Sequence, residues 1–239
     1  PATELAPNCY NAMFKGCTSL ETAPILPAEK METRCYQEMI SSCTSLVTPP
    51  VLPAKELARE CYSQMFSRCD AMKEGPALPA TTLAPGCYMA MFFMCENLTK
   101  APELLSTELA DSCYVAMFSR CTSLNRFQDV LPATELKTGC YTGMFAMCES
   151  LTQAPELPAE ELMPQCYEMM FNLCSNLNYI KVGVMSLDND VDATNSWVNG
   201  VNGSGIFIFP CGSKYDKHGI SEVPDEFIIQ SSPIVIFQN

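Results

Sequence analysis

The sequence predicts an α/β solenoid, an arc of stacked repeats with a narrow parallel sheet on its concave face and short helices on its convex face. Three observations predict it. One pattern recurs in nearly fixed phase, the two halves of each copy differ in periodicity, and a non-repetitive β-rich segment follows the last copy. We therefore divide the chain into a seven-repeat solenoid over residues 1–180, with its first repeat truncated, and a C-terminal cap over residues 181–239.

The recurring pattern is Cys-Tyr-x-x-Met-Phe-x-x-Cys-x-x-Leu. Its copies follow each other every 26 residues, with a single step of 27 between the fifth and the sixth. Departures are few: Ile40 replaces the Phe, and Met72 replaces the Leu. One copy cannot bury its own apolar side, so like side chains of successive copies are expected to stack in columns. The copies begin at Cys9, Cys35, Cys61, Cys87, Cys113, Cys140 and Cys166.

The first half of each repeat predicts a short helix. In the first copy, the side chains at i, i+3, i+4 and i+7 are Tyr10, Met13, Phe14 and Cys17, which is one face of a helix. Pro7 stands just before this stretch, where a helix tolerates proline. Turn-forming residues follow the second Cys and are expected to end the helix.

The second half of each repeat predicts extended backbone. Leu20-x-x-Ala23-Pro24-x-Leu26-Pro27 is too rich in proline for a helix, and residues before proline are driven to extended conformations. We expect a narrow parallel strand near Leu20 that runs into polyproline-like backbone. Extended segments pair ~4.8 Å apart while packed helices need roughly 8–10 Å, so the stack should curve with its strands inside. In the cap, residues 205–209 and 234–237 are strand candidates.

This repeat resembles the BspA-like branch of leucine-rich repeats, in which Ala-Phe-x-x-Cys-x-x-Leu precedes an Ile-Pro strand. The resemblance covers residues 1–180 and rests on seven copies of the pattern, although this repeat is longer and carries Met for Ala and a second Cys. It implies a leucine-rich-repeat arc on a secreted or surface protein of a bacterium, acting in adhesion. The chain opens at Pro1 in mid-repeat, so we interpret it as a fragment from which a signal or membrane anchor is missing.

Charge and hydropathy narrow the function classes. A formal charge of −13 argues against binding to nucleic acid or to anionic membrane surfaces. No run of about 18 apolar residues is present, so membrane association is expected only through the missing N-terminal anchor. We expect a monomer.

The positions of the cysteines predict that they belong to the hydrophobic core and not to a metal site. Fourteen of the 15 lie in the repeats, eight residues apart within each copy, a spacing that zinc sites do not use. A helix from Cys9 to Cys17 would hold the two about 12 Å apart, beyond the ~7 Å that a disulfide can span. We favour two columns of buried free thiols and keep disulfides, usual in secreted cysteine-rich chains, as the alternative. Cys211 stands alone in the cap.

Catalytic and metal-binding patterns are weak. The one histidine, His218, sits in a polar, turn-like run without an identifiable catalytic partner. Asp recurs at every second position of residues 188–192, as it does at the start of a calcium-binding loop. Ala193 and Asn199 stand where such loops need Gly and Glu. A solvated acidic turn is therefore the preferred interpretation. We predict no catalytic residue, no metal and no cofactor, with a carbohydrate-active enzyme as a distant alternative.

Variable positions between fixed ones predict the exposed binding surface. The second residue after each repeat Leu should line the concave face, as should the residue before the next Leu: Ile25, Val51, Ala77, Glu103, Val130 and Glu156. The longer step adds Phe127 beside Arg126, either as a local binding bulge or as drift in a loop. The predicted ligand-binding residues are Thr22, Thr48, Glu74, Lys100, Arg126, Phe127, Gln153 and Tyr179.

The sequence thus predicts a recognition or adhesion module, secreted or at the cell surface, for a host or bacterial surface protein or a glycan. The alternative is a passive spacer or stalk in a larger surface protein. A contiguous aromatic or apolar patch on the concave face would favour the recognition module, and a uniformly polar surface would favour the spacer.

Overall fold

The computed structural model describes residues 2–188, 192–201 and 203–232, and within them it has three strands and no helix. The strands are β1 (Tyr179–Lys181), β2 (Gly205–Phe209) and β3 (Phe227–Ser231), and they form one parallel sheet in the order β1-β2-β3. The predicted α/β solenoid with short convex helices is therefore wrong. The predicted strand at 205–209 is confirmed as β2, and the candidate at 234–237 lies outside the described residues.

Each segment predicted as a helix is instead a run of overlapping turns, which we call the turn ribbon. Its backbone N–H groups alternate between two kinds of partner. Met39 N donates to Tyr36 O within the ribbon at 3.2 Å, whereas Glu38 N donates to Ser63 O of the next repeat at 2.9 Å. Half of the backbone N–H groups of a ribbon therefore find a hydrogen-bond partner only when the next repeat stacks on it. The ribbons are residues 8–17, 34–43, 60–69, 86–95, 112–121, 139–148 and 165–174.

The alternation requires left-handed backbone at every fourth residue. In the second ribbon, Arg34, Glu38 and Ser42 have φ values of 57°, 53° and 61°. An α-helix needs φ near about −63° at every residue, so these ribbons cannot be helices. The helical prediction failed because Tyr36 and Met39 remain buried in the ribbon as they would on one helix face. The spacing of apolar residues therefore fits both structures.

The extended halves pair more sparsely than the predicted sheet. Thr22 bridges Thr48 and Glu74 bridges Lys100, each as an isolated parallel bridge. Proline explains the interruption, because Pro24, two residues after Thr22, has no N–H to donate to a ladder. The concave parallel sheet of the prediction is thus reduced to single bridges between repeats.

The expected columns of like side chains are present. Neighbouring tyrosine rings have centroids 5.7–6.1 Å apart, and the last ring stacks on Trp197 at 6.3 Å. A parallel column of phenylalanines lies beside them, with Phe92 and Phe118 at 5.4 Å. Offset aromatic stacking and burial together hold successive layers in register. The tyrosine column comprises Tyr10, Tyr36, Tyr62, Tyr88, Tyr114, Tyr141 and Tyr167.

The cysteines form two further columns. All 15 are free thiols, and the predicted burial is confirmed for 12 of them. The second cysteine of a repeat donates its S–H to a carbonyl of the preceding repeat, as Cys95 Sγ does to Phe66 O at 3.0 Å. This bond gives cysteine a role that alanine could not fill. Burial raises the pKa of Cys95 to about 12, so the thiol stays protonated.

The C-terminal segment closes the stack by adding one more layer. Tyr167 N donates to Ala193 O and Phe171 N to Trp197 O, both at 2.8 Å. The Trp197 indole N–H in turn donates to Glu222 O at 2.7 Å. Residues 192–201 therefore accept the outward N–H groups of the seventh ribbon, while β2 and β3 continue the bridges beyond β1.

Candidate functional site

The predicted binding residues lie along one row of inter-repeat bridges, which we call the ladder face. It comprises Thr22, Thr48, Glu74, Lys100, Arg126, Phe127, Gln153 and Tyr179. Three bridges join six of these residues in pairs: Thr22 with Thr48, Glu74 with Lys100, and Gln153 with Tyr179. The structure thus brings equivalent positions of neighbouring repeats into direct contact. Arg126 and Phe127 lie between the second and third of these pairs.

A groove of 610 Å³ crosses the ladder face at the third, fourth and fifth repeats. Its polar lining includes Glu74, Lys100, Glu103 and Arg126, all of which the sequence predicted on the concave face. Its apolar lining includes Pro102 and Leu105. A cleft that offers charged groups above an apolar surface is suited to ligand binding.

The groove continues towards both ends of the ladder face. A depression of 580 Å³ shares Glu74 with it and adds Thr48 and Val47. A much smaller one of 10 Å³ shares Arg126 with it and reaches Gln153. Thr22 and Tyr179 do not line these depressions, but each is one bridge beyond them.

The charged groups of the groove are only weakly engaged within the protein. Lys100 Nζ lies 3.3 Å from Glu74 Oε2, with the lysine side chain 72% exposed. Arg126 lies 4.0 Å from Asp129, with its side chain 82% exposed. Solvent-exposed pairs of this kind contribute little to stability. Both cations can therefore exchange their partners for groups on a ligand.

The structure separates the roles of Arg126 and Phe127. The half-buried Phe127 ring meets Phe145 edge-on at 5.0 Å and Phe118 at 5.4 Å. It anchors the additional residue of the longer repeat to the phenylalanine column, while one side lines the groove. Arg126 points into solvent beside it and is the ligand-accessible member of the pair.

A second row of bridges was not anticipated from the sequence. Lys30 bridges Glu56, and Glu56 bridges Thr82, which in turn bridges Glu108. Depressions of 640 Å³ and 680 Å³ lie beside this second row at the second and third repeats and at the sixth and seventh. The available signal was the pair of polar, variable residues after each Pro-Ala, of which Lys30 is one.

Groups with catalytic potential in the C-terminal segment bond to neighbouring residues. The His218 ring Nδ1 lies 3.0 Å from Pro224 O, and Tyr215 hydrogen-bonds the Glu222 carboxylate. Of the Asp residues weighed as calcium ligands, Asp190 lies outside the described residues, and Asp188 pairs with Lys217. Across the described ranges, no group of three His, Cys, Asp or Glu side chains is arranged to hold a metal ion.

Comparison with known proteins identifies no relative of this chain. No protein-family model matches the sequence, no curated protein is significantly similar to it, and no solved structure is significantly similar to its fold. Within residues 2–188, 192–201 and 203–232, no long apolar helix of the length needed to cross a bilayer is found.

Proposed function

We propose that this chain is a non-catalytic recognition or adhesion module that binds an extended segment of a surface protein or a glycan along the ladder face. The observation that carries the proposal is the groove at the third to fifth repeats, where exposed Lys100 and Arg126 flank an apolar lining. Arginine beside an aromatic ring is typical of residues that dominate binding energy at interfaces.

Exposed apolar side chains support a recognition module over a passive spacer. Ile25 and Val51 occupy the same position in adjacent repeats, and each is 79% exposed. The Thr22–Thr48 bridge joins these two repeats three residues before Ile25 and Val51. Leu105 adds a third exposed apolar side chain at the groove. A spacer has no need for large exposed apolar side chains such as these.

The resemblance of the repeat to BspA-like repeats supports the same proposal from the sequence. It favours a secreted or cell-surface location and a partner on a host or bacterial surface. The groove combines two cations, Lys100 and Arg126, with two carboxylates, Glu74 and Glu103, which favours polar ligands that offer both hydrogen-bond acceptors and donors.

A binding screen with matched variants tests the proposal. Labelled protein is applied to arrays of defined glycans and of purified extracellular proteins, and hits are measured in solution. In the double variant Lys100→Ala/Arg126→Ala, we expect binding to weaken by about tenfold or more, because both cations face the ligand.

The control removes the same charges elsewhere. Arg120 lies on a turn ribbon and Lys137 beside the second row of bridges, and both are exposed. The double variant Arg120→Ala/Lys137→Ala should bind as the parent does. Equal loss of binding in both double variants would show a non-specific charge effect. Undiminished binding of Lys100→Ala/Arg126→Ala would show that the groove is not the binding site. Absence of any hit would favour the spacer.

A further inference from the structure

The ladder face loses its inter-repeat hydrogen bonds at the groove. In other repeats, the residue that follows a bridged position donates its backbone N–H to the bridged residue of the next repeat. Such bonds are Ala23 N to Thr48 O at 3.1 Å, Gly75 N to Lys100 O at 3.2 Å and Ala154 N to Tyr179 O at 3.0 Å. The equivalent groups at the groove are Ala101 N and Arg126 O, and neither hydrogen-bonds any residue that the structure describes. We call these two groups the open pair.

The additional residue of the longer repeat accounts for the open pair. The step from Leu124 to Leu131 is one residue longer than the equivalent step in the other repeats, so the chain after Arg126 cannot follow the path of the repeat before it. Both Ala101 and Arg126 line the groove of 610 Å³. A backbone donor and a backbone acceptor are therefore left for solvent or for a ligand inside the groove.

The protein itself fills the neighbouring part of this gap with an amide. Leu131 N donates directly to Glu156 O of the next repeat at 3.0 Å. The equivalent bond one repeat earlier would join Leu104 N to Val130 O. Instead, the Gln128 side chain lies between them, with Oε1 accepting from Leu104 N at 2.7 Å and Nε2 donating to Val130 O at 2.8 Å. An amide therefore fits between the fourth and fifth repeats, where it bonds a donor on one and an acceptor on the other.

A ligand amide can meet the open pair in the same way. Its C=O accepts from Ala101 N, and its N–H donates to Arg126 O. An extended polypeptide carries such an amide at every residue, and pairing with exposed backbone groups is a recurrent mode of peptide recognition. A sugar chain presents mainly hydroxyl groups. The open pair therefore favours a peptide over a glycan.

The side chains around the open pair also suit a peptide. Leu105 is 51% exposed and offers an aliphatic contact, as does Pro102 beside it in the groove. Lys100 and Arg126 offer contacts for acidic side chains, and Glu103 offers one for basic side chains. In this mode of recognition, main-chain hydrogen bonds give affinity and side-chain contacts give specificity.

We propose that the groove binds an extended peptide segment through a backbone amide that hydrogen-bonds both members of the open pair. The inference rests on the proposed recognition function and narrows its ligand from a protein or a glycan to an extended polypeptide stretch. The groove continues into the depression at Thr48, so the segment runs along the ladder face over several repeats.

The variant Ala101→Pro removes the N–H of the open pair. The second repeat already has proline at the equivalent position, since Pro49-Pro50 corresponds to Ala101-Pro102. Lys100 precedes Ala101 and lies in a bridge, which is the extended backbone that a residue before proline requires. The unfolding midpoint of Ala101→Pro should therefore stay close to that of the parent.

Two controls accompany this variant. Ala101→Gly keeps the N–H and copies the third repeat, where Gly75 occupies the equivalent position. Ala154→Pro removes an N–H that the protein does use, the donor to Tyr179 O, and should lower the unfolding midpoint.

The probes are linear peptides selected on the parent protein from a phage-displayed random library, together with an array of defined glycans that includes N-acetylated sugars. Dissociation constants of the selected peptides are measured in solution. Ala101→Pro should weaken their binding by about five- to tenfold, which corresponds to the loss of one hydrogen bond. Ala101→Gly should bind them as the parent does.

A second measurement changes the ligand. The amides of one selected peptide are replaced by esters, one position at a time. One replacement should weaken binding to the parent more than it weakens binding to Ala101→Pro, because the protein partner of that amide is already absent in the variant.

Selection of no peptide, or of peptides that bind Ala101→Pro as tightly as the parent, overturns the inference. A clearly lower unfolding midpoint of Ala101→Pro does so too, because the Ala101 N–H would then have an acceptor within the protein. Glycans as the only ligands weakened by Lys100→Ala/Arg126→Ala would leave the recognition module standing and overturn its peptide ligand. Absence of binding to both sets of probes would remove the proposed function as well.

Discussion

The side-chain amide of Gln128 hydrogen-bonds both backbone groups of Leu104: Oε1 accepts from Leu104 N at 2.7 Å and Nε2 donates to Leu104 O at 3.4 Å. The same Nε2 donates to Val130 O at 2.8 Å. Gln128 belongs to the longer repeat, where the additional residue displaces the chain beside the groove. One side chain thus occupies the place that a backbone partner would take.

Gln128→Ala should destabilise the protein by about 1–3 kcal/mol, because it removes the partner of the backbone N–H of the buried residue Leu104. Urea denaturation measures the change. Gln128→Glu keeps the acceptor for Leu104 N and loses the donor to Leu104 O and Val130 O. Its free energy of unfolding should therefore fall between those of the parent and of Gln128→Ala. Parent-like stability of the alanine variant would show that solvent replaces the amide without cost.

Left-handed backbone in the ribbons makes glycine substitutions informative. Gly143 has a φ of 60°, and nothing lies within 4 Å of a Cβ added there, so Gly143→Ala tests backbone strain alone. We expect a loss of about 1 kcal/mol, the penalty of a left-handed L-residue. Ala116 occupies the same position one repeat earlier with a φ of 52°, and Ala116→Gly should change stability in the opposite direction. Two changes of the same sign would contradict this account.

Three tyrosine hydroxyls, those of Tyr36, Tyr62 and Tyr141, are buried without a hydrogen-bond partner among the described residues. Tyr62→Phe should therefore raise the free energy of unfolding by about 1 kcal/mol, since it removes an unsatisfied polar atom and keeps the stacked ring. Tyr10 is the control, because its hydroxyl accepts from Ala2 N at 3.1 Å. The two variants Tyr62→Phe and Tyr10→Phe are compared with the parent by thermal unfolding. A midpoint of Tyr62→Phe below that of the parent would show that the Tyr62 hydroxyl has a hydrogen-bond partner.

Thiol titration separates the columns from the alternative of disulfides. In the native protein, Cys17 and Cys211 are exposed and should react quickly, whereas the 12 buried thiols should react only on unfolding. Denatured, unreduced protein should yield all 15 thiols. Intact mass before and after alkylation gives the number of reactive thiols in the native protein and in the denatured protein. A mass deficit that corresponds to several disulfides would refute the thiol columns.

The buried thiols also make stability depend on alkaline pH. Burial raises the pKa of Cys35 and Cys166 to about 11 and that of Cys174 to about 12, against an ordinary 9.0. Because the folded pKa is the higher one, the stabilisation is complete below the unfolded pKa and is lost as the pH rises through the folded values. Urea midpoints should therefore fall between pH 9 and pH 12. A flat profile would show that the thiols ionise equally in both states.

The sequence was sufficient for the columns and for the row of equivalent positions that meet along the ladder face. Equivalent residues 26 positions apart must meet in any stack, which is why Glu74 and Lys100 could be paired without knowing the backbone. The backbone itself could not be predicted. Apolar residues at i, i+3, i+4 and i+7 fit a helix and a turn ribbon equally, and only hydrogen bonds to the next repeat distinguish them.

Other features depended on contacts that a pattern does not contain. Phe127 was predicted as a ligand anchor, but its ring is half-buried against Phe118 and Phe145, because the additional residue brings it over the phenylalanine column. The bonds of Gln128 to Leu104 reach across 24 residues and leave no periodic trace. The second row of bridges was visible only as variable polar residues, which are also typical of loops.

The alternating ribbon makes the whole repeat the smallest unit by which this chain can grow or shrink. Every ribbon completes its hydrogen bonds on the next, so a duplication or loss of one full period leaves each remaining junction as it was. A shift of a single residue within a ribbon would instead set donors against donors and turn buried rings outwards. The additional residue of the longer repeat accordingly lies on the ladder face, outside any ribbon, where an irregularity in length is tolerated and can be adapted to a ligand.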